Sequence, residues 1–367
     1  MIGYALFVLN LNLDDMCLSP ILIKNQSRMY RGKVDTLTAF HDTSSQYIYV
    51  PCGVCPDCCR KKQMYIVQRT QLEQMDNYIF FATFTYSNDM IRSIDVNGFT
   101  HYYADVTDMQ NMLKRCRKRP DWIVSKYLYV VEYGGKRHRP HFHAMFFVPK
   151  KPTDNIYTPV NYQSMLYDLF KDEWKRNVGS TRRPIYQPLC KFISIGQKRT
   201  YDLHYVNPQT TKNGCSDVGF YVTKYCLKFD EWIDKKRKAL YLNLEPDEYS
   251  KVWKLLRPRI QYSHYFGLSS QSREYIRKCI DEYSNDSLYP LFRNPLTGQL
   301  FPMSPYLFNR YGTLKDKYTF YYRSKHPDSA NDSFHYTNID YDSYQSKIDS
   351  YNRTCETIVD NDVYDYL

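Results

Sequence analysis

The sequence predicts an α+β fold with a central antiparallel sheet and helices packed on one face of it. Aromatic and β-branched runs, typical of strands, alternate with amphipathic runs, typical of helices. Two of the strand runs are joined by the turn residues Gly134 and Gly135, which indicates a hairpin and therefore antiparallel pairing. The chain has 367 residues, of which 43% are hydrophobic, and this is enough for a large core.

Each predicted element has a local reason. In chain order they are a helix over 60–75, a strand over 78–86, a helix over 107–119, strands over 126–133 and 140–148, a helix over 162–176, strands over 191–195 and 201–206, and helices over 218–229 and 269–283. The strands combine aromatic with β-branched residues, and the helices carry apolar residues three or four positions apart. We expect Thr107 to cap its helix and Pro120 to end it.

Composition divides the chain into four predicted parts. These are an N-terminal segment with cysteines and a basic helix (1–75), the α+β domain (76–265), a mostly irregular C-terminal extension that packs on the body (266–326), and an acidic, flexible tail (327–367). In the tail, nine acidic residues stand against the two bases Lys347 and Arg353. Such a segment favours a solvated tail, although a polyanion that competes with DNA for the basic body is an alternative.

Charge and cysteine usage restrict the class of protein. The net charge of +11 indicates a polyanionic partner, with nucleic acid first, and the 38 tyrosines supply faces on which bases can stack. The apolar stretch over 4–9 is far shorter than the about 20 residues that span a bilayer, and no basic residues precede it. We therefore expect no membrane association and no signal peptide. An odd number of cysteines, 11, favours the reducing cytoplasm over a secreted disulfide framework.

A candidate metal site lies in the predicted hairpin. His141 and His143 are separated by one residue, so their side chains share one face of a strand. A turn centred on residues 136 and 137 would place Glu132 opposite His141, on that same face. Two imidazoles and a carboxylate suit a catalytic divalent ion. The alternative is a pair of ordinary surface or core histidines; a histidine-triad hydrolase is disfavoured because position 145 is Met.

A second candidate set lies about 80 residues further along the chain. Tyr221 and Tyr225 are four residues apart, as are Lys224 and Lys228, so each pair would share a helix face. Such tyrosines are most often a packed stripe. Beside a metal and a cation, however, a tyrosine hydroxyl can attack a phosphodiester.

The chain resembles the HUH endonucleases, and within them the replication initiation proteins of microviruses, especially the gokushovirus branch. The resemblance spans residues 17–270 and rests on five stretches in order. These are CLSPI (17–21), PCGVC (51–55), FATFTY (81–86), EYG with RPHFH (132–134 and 139–143), and YVTKY (221–225). It implies the HUH fold, which is RRM- or ferredoxin-like, with the strand over 83–86 helping to shape the DNA site.

The resemblance also implies an activity, namely rolling-circle replication initiation. Such an enzyme nicks one strand at a single-stranded DNA origin, remains joined to the 5′ phosphate through a tyrosine, and later reseals the strand. Implied partners are the origin DNA and the host polymerase and helicase, in the bacterial cytoplasm, and the implied cofactor is Mg²⁺ or Mn²⁺. A sequence without a Walker-type phosphate loop is consistent with unwinding by the host.

Residue roles follow from the same resemblance. It makes His141 and His143 metal ligands, Tyr221 and Tyr225 alternating nucleophiles, and Lys224 a phosphate partner. Glu132 as third ligand combines the hairpin geometry with analogy, and Lys228 is a second candidate cation.

The cysteine cluster is a separate candidate site. Cys52, Cys55 and Cys58 are spaced by two residues, and Cys17 could complete a Zn²⁺ site, although a thiol-rich loop is the alternative. The helix that follows is basic. Its cations, which are expected either to contact DNA phosphates or to form a solvated face, are Arg60, Lys61, Lys62 and Arg69.

Two rival functions remain open at this stage. One is a relaxase or transposase of the same fold. The other is a non-catalytic nucleic-acid-binding protein, which would bind tightly and with salt sensitivity but form no covalent product.

Overall fold

A computed structural model describes residues 21–24, 47–50, 56–134, 137–190, 201–208, 218–219, 222, 231–285 and 287–325. These residues form two compact units. One unit runs from Cys59 to Ser269, and the other consists of the described residues before Cys59 and after Ser269. The four-part division expected from composition stays a prediction.

The secondary structure of the described residues is mixed. Its strands are β1 (Ile21–Lys24), β2 (Tyr47–Val50), β3 (Asn77–Phe84), β4 (Arg92–Val96), β5 (Phe99–Tyr103), β6 (Lys126–Tyr133), β7 (Pro140–Pro149), β8 (Lys175–Asn177), β9 (Tyr186–Pro188), β10 (Tyr201–Tyr205), β11 (Ile260–Tyr262), β12 (Leu291–Arg293) and β13 (Leu300–Pro302). Its helices are α1 (Pro56–Asp76), α2 (Val106–Cys116), α3 (Thr158–Glu173), α4 (Glu231–Asn243), α5 (Pro246–Leu256), α6 (Ser270–Tyr283), α7 (Pro305–Tyr311) and α8 (Leu314–Lys325).

A five-stranded antiparallel sheet is the centre of the first unit. Its strand order is β10–β3–β7–β6–β11, and each neighbouring pair is antiparallel. The central pairings are long because β3, β6 and β7 are rich in aromatic and β-branched residues, which fit a pleated surface. The predicted α+β class with a central antiparallel sheet is confirmed.

Helices cover both faces of this sheet. On the first face, Phe84 and Phe146 pack with residues of α2 and α3 in an aromatic core. On the second face, Phe81 and Phe147 pack with Ile66 of α1. The expectation of helices on one face only was wrong, because α1 has a polar sequence that conceals a buried side.

Helix α1 is buried over its second half although most of its residues there are polar. Gln68, Thr70, Gln71 and Glu73 are all buried, and Glu73 accepts a hydrogen bond from Lys126 Nζ at 2.6 Å.

One cation of this buried stretch has a structural role. Arg69 is only 5% exposed, and its Nε and Nη2 atoms donate to the carbonyl oxygen of Phe266 at 2.8 and 2.6 Å. The predicted contact of Arg69 with DNA phosphates is therefore wrong, because its guanidinium is buried against an internal acceptor. Lys62, one of the other cations of α1, is exposed.

One hairpin of the first unit has a signal that the predicted elements did not include. β4 and β5 pair around Asn97 and Gly98, whose φ angles are 49° and 82°. Asn-Gly with both residues in the left-handed region is typical of the tightest hairpin turn, so the dipeptide alone would have predicted it.

Two helix ends differ from prediction. The N-cap of α2 is Asp105, whose side chain accepts from the backbone N–H of Thr107, so Thr107 is not the cap. Helix α3 ends at Glu173 because Trp174 leaves the helical conformation and donates its indole N–H to the carbonyl of Thr85 at 2.8 Å. The chain then forms the short strand β8, where the sequence predicted more helix.

Several predicted segments lie outside the described residues. These include the strand over 191–195 and the tail over 327–367. Of the predicted helix over 218–229, only Val218, Gly219 and Val222 are described, and all three are helical.

In the second unit, β1 pairs with β2 and β12 pairs with β13, both antiparallel. Helix α6 confirms the predicted helix over 269–283, and its Tyr275 hydroxyl donates to the carbonyl of Arg293 at 2.7 Å. Helices α7 and α8 were not predicted. None of the helices in the described part of the chain has the length and apolar character needed to cross a bilayer.

Candidate metal centre

The hairpin of β6 and β7 sets the register of the candidate site. Glu132 pairs with His141, and Val130 pairs with His143. The backbone N–H of Gly134 donates to the carbonyl of Arg139 at 3.1 Å and closes the hairpin at its turn end. The placement of Glu132 opposite His141, predicted from the turn position, is confirmed.

Three side chains from these two strands converge on one point. The Oε2 atom of Glu132 lies 2.7 Å from Nε2 of His143 and 3.5 Å from Nε2 of His141. The two Nε2 atoms are 3.2 Å apart. All the ligand atoms lie within 4.8 Å of one another, so this group can hold a single metal ion.

The outer ring nitrogens of both histidines have their own partners. Nδ1 of His141 lies 3.0 Å from the carbonyl oxygen of Arg139. Because a carbonyl only accepts, this Nδ1 must carry the proton in the neutral ring, which leaves the lone pair of Nε2 directed at the site. Nδ1 of His143 lies 2.9 Å from the hydroxyl oxygen of Thr83 on β3. A partner on the far nitrogen is typical of metal-binding histidines, since it orients the ring.

Burial and charge together tune the ionisable groups. Glu132 and His143 are each 5% exposed. Burial alone would raise the pKa of Glu132, but hydrogen bonds and charge from the two histidines hold it below its ordinary value. Burial also lowers the pKa of His143, which favours the neutral ring although Glu132 opposes this change. An ionised carboxylate beside neutral imidazoles is the protonation state that metal binding requires.

The arrangement fits a cation on chemical grounds. The Oε2 atom of Glu132 is buried and has no well-aligned hydrogen-bond donor among the described residues. It faces the lone pair of His141, and three electron-rich atoms at this spacing repel one another unless a positive charge lies between them. Two imidazoles and one carboxylate suit a divalent ion with open positions, and the identity of the ion stays a prediction.

Aromatic and basic neighbours fix the site that these ligands form. Phe81 of β3 stacks on the ring of His143 with centroids 5.2 Å apart. Arg139, which supplies the carbonyl for His141, donates its own guanidinium to the carbonyl of Tyr86 at 2.6 Å. The sequence indicated the strand over 83–86 but not the hydroxyl of Thr83 as a partner of His143, because that contact depends on β3 lying next to β7.

The proposed nucleophiles and their cations lie outside the described residues; these are Tyr221, Lys224, Tyr225 and Lys228. Their described neighbour Val222 is fully buried and belongs to the core of the second face, together with Val130 and Met145. His141 and His143 lie on this same face. A Cβ on Gly219 would lie 3.5 Å from a methyl group of Val67 on α1.

The cysteine site stays a prediction. Cys17, Cys52 and Cys55 lie outside the described residues, and Cys58 lies in the first turn of α1 with a side chain that the structure does not describe.

Comparisons with known proteins agree with this site in position. A family model for replication-associated proteins of the ORF2 type matches residues 79–230, which include the metal group and the YVTKY segment. The chain is similar to viral replication-associated proteins. The replication-associated protein ORF2 of Spiroplasma virus 4 is 28% identical over 209 residues, which are 53% of this chain and 60% of that protein. This chain therefore spans less than two thirds of that relative. No solved structure matches the chain.

Proposed function

We propose that this protein initiates rolling-circle DNA replication as an HUH-type, tyrosine-dependent nickase and ligase of the microvirus kind. The observation that carries the proposal is the common face. Glu132, His141 and His143 converge on the second face of the sheet, and Val222, from the segment that contains the two candidate tyrosines, packs into the core of that face. The similarity to replication-associated proteins over residues 79–230 supports the same function.

The proposed reaction exchanges one phosphodiester for another. The hydroxyl oxygen of Tyr221 or Tyr225 attacks phosphorus, the bond from phosphorus to the 3′ oxygen breaks, and the proton of the phenol is transferred overall to that oxygen. The products are a 5′-phosphotyrosyl bond and a free 3′ hydroxyl. Because a phosphodiester is conserved, the reverse reaction reseals the strand without a nucleotide cofactor.

The chain's own residues divide the remaining work. Glu132, His141 and His143 would hold Mg²⁺ or Mn²⁺, which when bound would supply positive charge to the phosphoryl oxygens. Thr83 and the carbonyl of Arg139 hold the imidazole rings in the orientation that presents Nε2. Lys224 and Lys228 are the proposed cations beside the phosphate. Two tyrosines would let one hold the first 5′ end while the other cuts at the regenerated origin.

The test is a covalent-product assay. The protein is mixed with a labelled random-sequence pool of single-stranded oligonucleotides and Mn²⁺, and the products are separated on a denaturing gel. We expect a slow band that survives boiling in detergent and that a chelator prevents. The double variant Tyr221→Phe with Tyr225→Phe should give no band.

A matched control removes two hydroxyls elsewhere. Tyr241 and Tyr249, on α4 and α5, are in ring contact with centroids 5.3 Å apart, and their double Phe variant should retain the band. A band that persists without Tyr221 and Tyr225 would place the nucleophile elsewhere. Tight DNA binding without any band in the wild-type protein would favour the non-catalytic rival.

A further inference from the structure

A basic two-stranded ribbon projects from the first unit on the side opposite the metal group. It consists of β8, β9 and the loop between them, residues 175–188, and contains Lys175, Arg176, Arg182 and Arg183 but no acidic residue. All residues from 180 to 188 are exposed. Trp174 and Leu189, which flank the ribbon, are both buried in the core of the first face. The ribbon therefore starts from that face, whereas the histidines lie on the second.

The loop of the ribbon is preorganised by its own side chains. The Oδ1 atom of Asn177 accepts from the backbone N–H groups of Gly179 at 3.0 Å and Ile185 at 2.9 Å. The hydroxyl of Ser180 accepts from the backbone N–H of Arg183 at 3.0 Å. These bonds fix the loop that holds the two exposed arginines, so little conformational entropy is lost when the loop binds.

The cations at the base of the ribbon hold it on the body. Arg176 Nε donates to Asp108 on α2 at 2.8 Å. Arg115 donates to the carboxylate of Glu173 at 2.9 Å and to the carbonyl of Lys175 at 2.8 Å. These contacts neutralise much of the charge at the base.

The cations at the tip and beside the ribbon face solvent. Arg182 and Arg183 at the tip are exposed, and so is Lys114 of α2. Lys114 and Tyr186 line the same cleft of about 270 Å³ between α2 and the ribbon. Solvent-facing positive charge thus lies at the tip of the ribbon and on one flank of it.

We propose that the ribbon 175–188 binds in a groove of duplex DNA, an inference that rests on the proposed replication function. A two-stranded β-ribbon fits the width of the major groove, and this is a known mode of reading duplex DNA. Arg182, Arg183 and Lys114 contact phosphates, while the exposed apolar side chains of Val178 and Ile185 lie against sugars and thymine methyl groups. The protein then holds duplex DNA on one face and the cleavable single strand at the metal centre on the other.

The test compares duplex and single-stranded DNA of the same random-sequence pool by fluorescence anisotropy in EDTA, over a range of salt. For the double variant Arg182→Ala with Arg183→Ala, we expect the duplex dissociation constant to rise about tenfold or more and the salt slope to fall by about 2, near 0.9 for each lost phosphate contact. Affinity for the single strand should stay within about twofold of the wild type.

A shape variant tests the ribbon without changing its charge. A Cβ on Gly179 would lie 2.5 Å from the carbonyl oxygen of Arg183, so Gly179→Ala must distort the loop. It should weaken duplex binding while leaving the single strand unaffected. The charge-matched control is Lys251→Ala with Lys254→Ala on α5, where both lysines are exposed, and it should keep the duplex affinity of the wild type.

Two outcomes would overturn the inference. An equal loss for duplex and single strand in the arginine variant would assign the ribbon to single-stranded DNA. Unchanged duplex binding would show that the ribbon does not contact DNA. Because EDTA prevents cleavage, the binding result does not depend on the proposed chemistry. If the wild type gives no covalent band while the ribbon variants lose duplex binding, the proposed function fails and the ribbon assignment stands.

Discussion

The two faces of the central sheet have the same strands but opposite chemistry. On β7, Phe142 is fully buried on the first face, where its ring contacts those of Tyr86, Tyr129 and Trp174. The next residue, His143, is 5% exposed on the second face, where it contacts Glu132 and Thr83. One strand thus contributes to an aromatic core and to a polar site at successive positions, because its side chains alternate.

The difference indicates how the fold tolerates a buried polar group. Burial of polar and charged atoms is unfavourable unless each atom finds a partner. On the second face, the carboxylate and both rings are partnered by one another, by Thr83 and by the carbonyl of Arg139. The apolar packing of the first face supplies stability that this arrangement does not provide.

The largest expected effect comes from a change on the first face. Phe142→Ala removes a fully buried ring and leaves a cavity, so the free energy of unfolding should fall by about 3–5 kcal/mol. Urea unfolding followed by circular dichroism measures this loss. The affinity of the folded fraction for Mn²⁺, from calorimetry, should stay near that of the wild type.

The neighbouring position provides the contrast. His143→Ala should remove Mn²⁺ binding at a much smaller cost in stability measured in EDTA. If Phe142→Ala also removed Mn²⁺ binding while the protein stayed folded, the two faces would not be independent.

The sequence predicted the strands of this hairpin and their register, because the turn position fixes which residues oppose each other. It could not predict Thr83 as a partner of His143, since that contact requires β3 to pair with β7 across 60 residues of chain. It also missed the buried side of α1. Arg69 looks like a solvent-exposed cation until Phe266, from a distant loop, supplies the carbonyl that accepts its hydrogen bonds.

A smaller effect is expected at the carboxylate on the second face. Glu132→Gln keeps the shape of the side chain but removes its negative charge, so the three-residue site loses its anionic ligand. Wild-type protein should gain about 2.7 kcal/mol of unfolding free energy when free Mn²⁺ is at about 100 times its dissociation constant. The variant should gain almost none at the same concentration, as measured by urea unfolding with Mn²⁺ and with EDTA. An equal gain in both proteins would mean that the ion binds elsewhere.

The smallest effect, and the one that resolves the second face most finely, is expected at Thr83. Thr83→Val keeps the branched shape but removes the hydroxyl that lies 2.9 Å from Nδ1 of His143. Loss of a partner on the far nitrogen typically weakens metal binding about 10–100-fold, which corresponds to about 1.4–2.8 kcal/mol. The matched control is Thr85→Val, which removes a hydroxyl two residues away whose partner is Cys190 Sγ at 3.5 Å. Calorimetry with Mn²⁺ should show weakened binding for Thr83→Val alone. Equal affinities in both variants would mean that Phe81, stacked on the ring, orients His143 without the help of the hydroxyl.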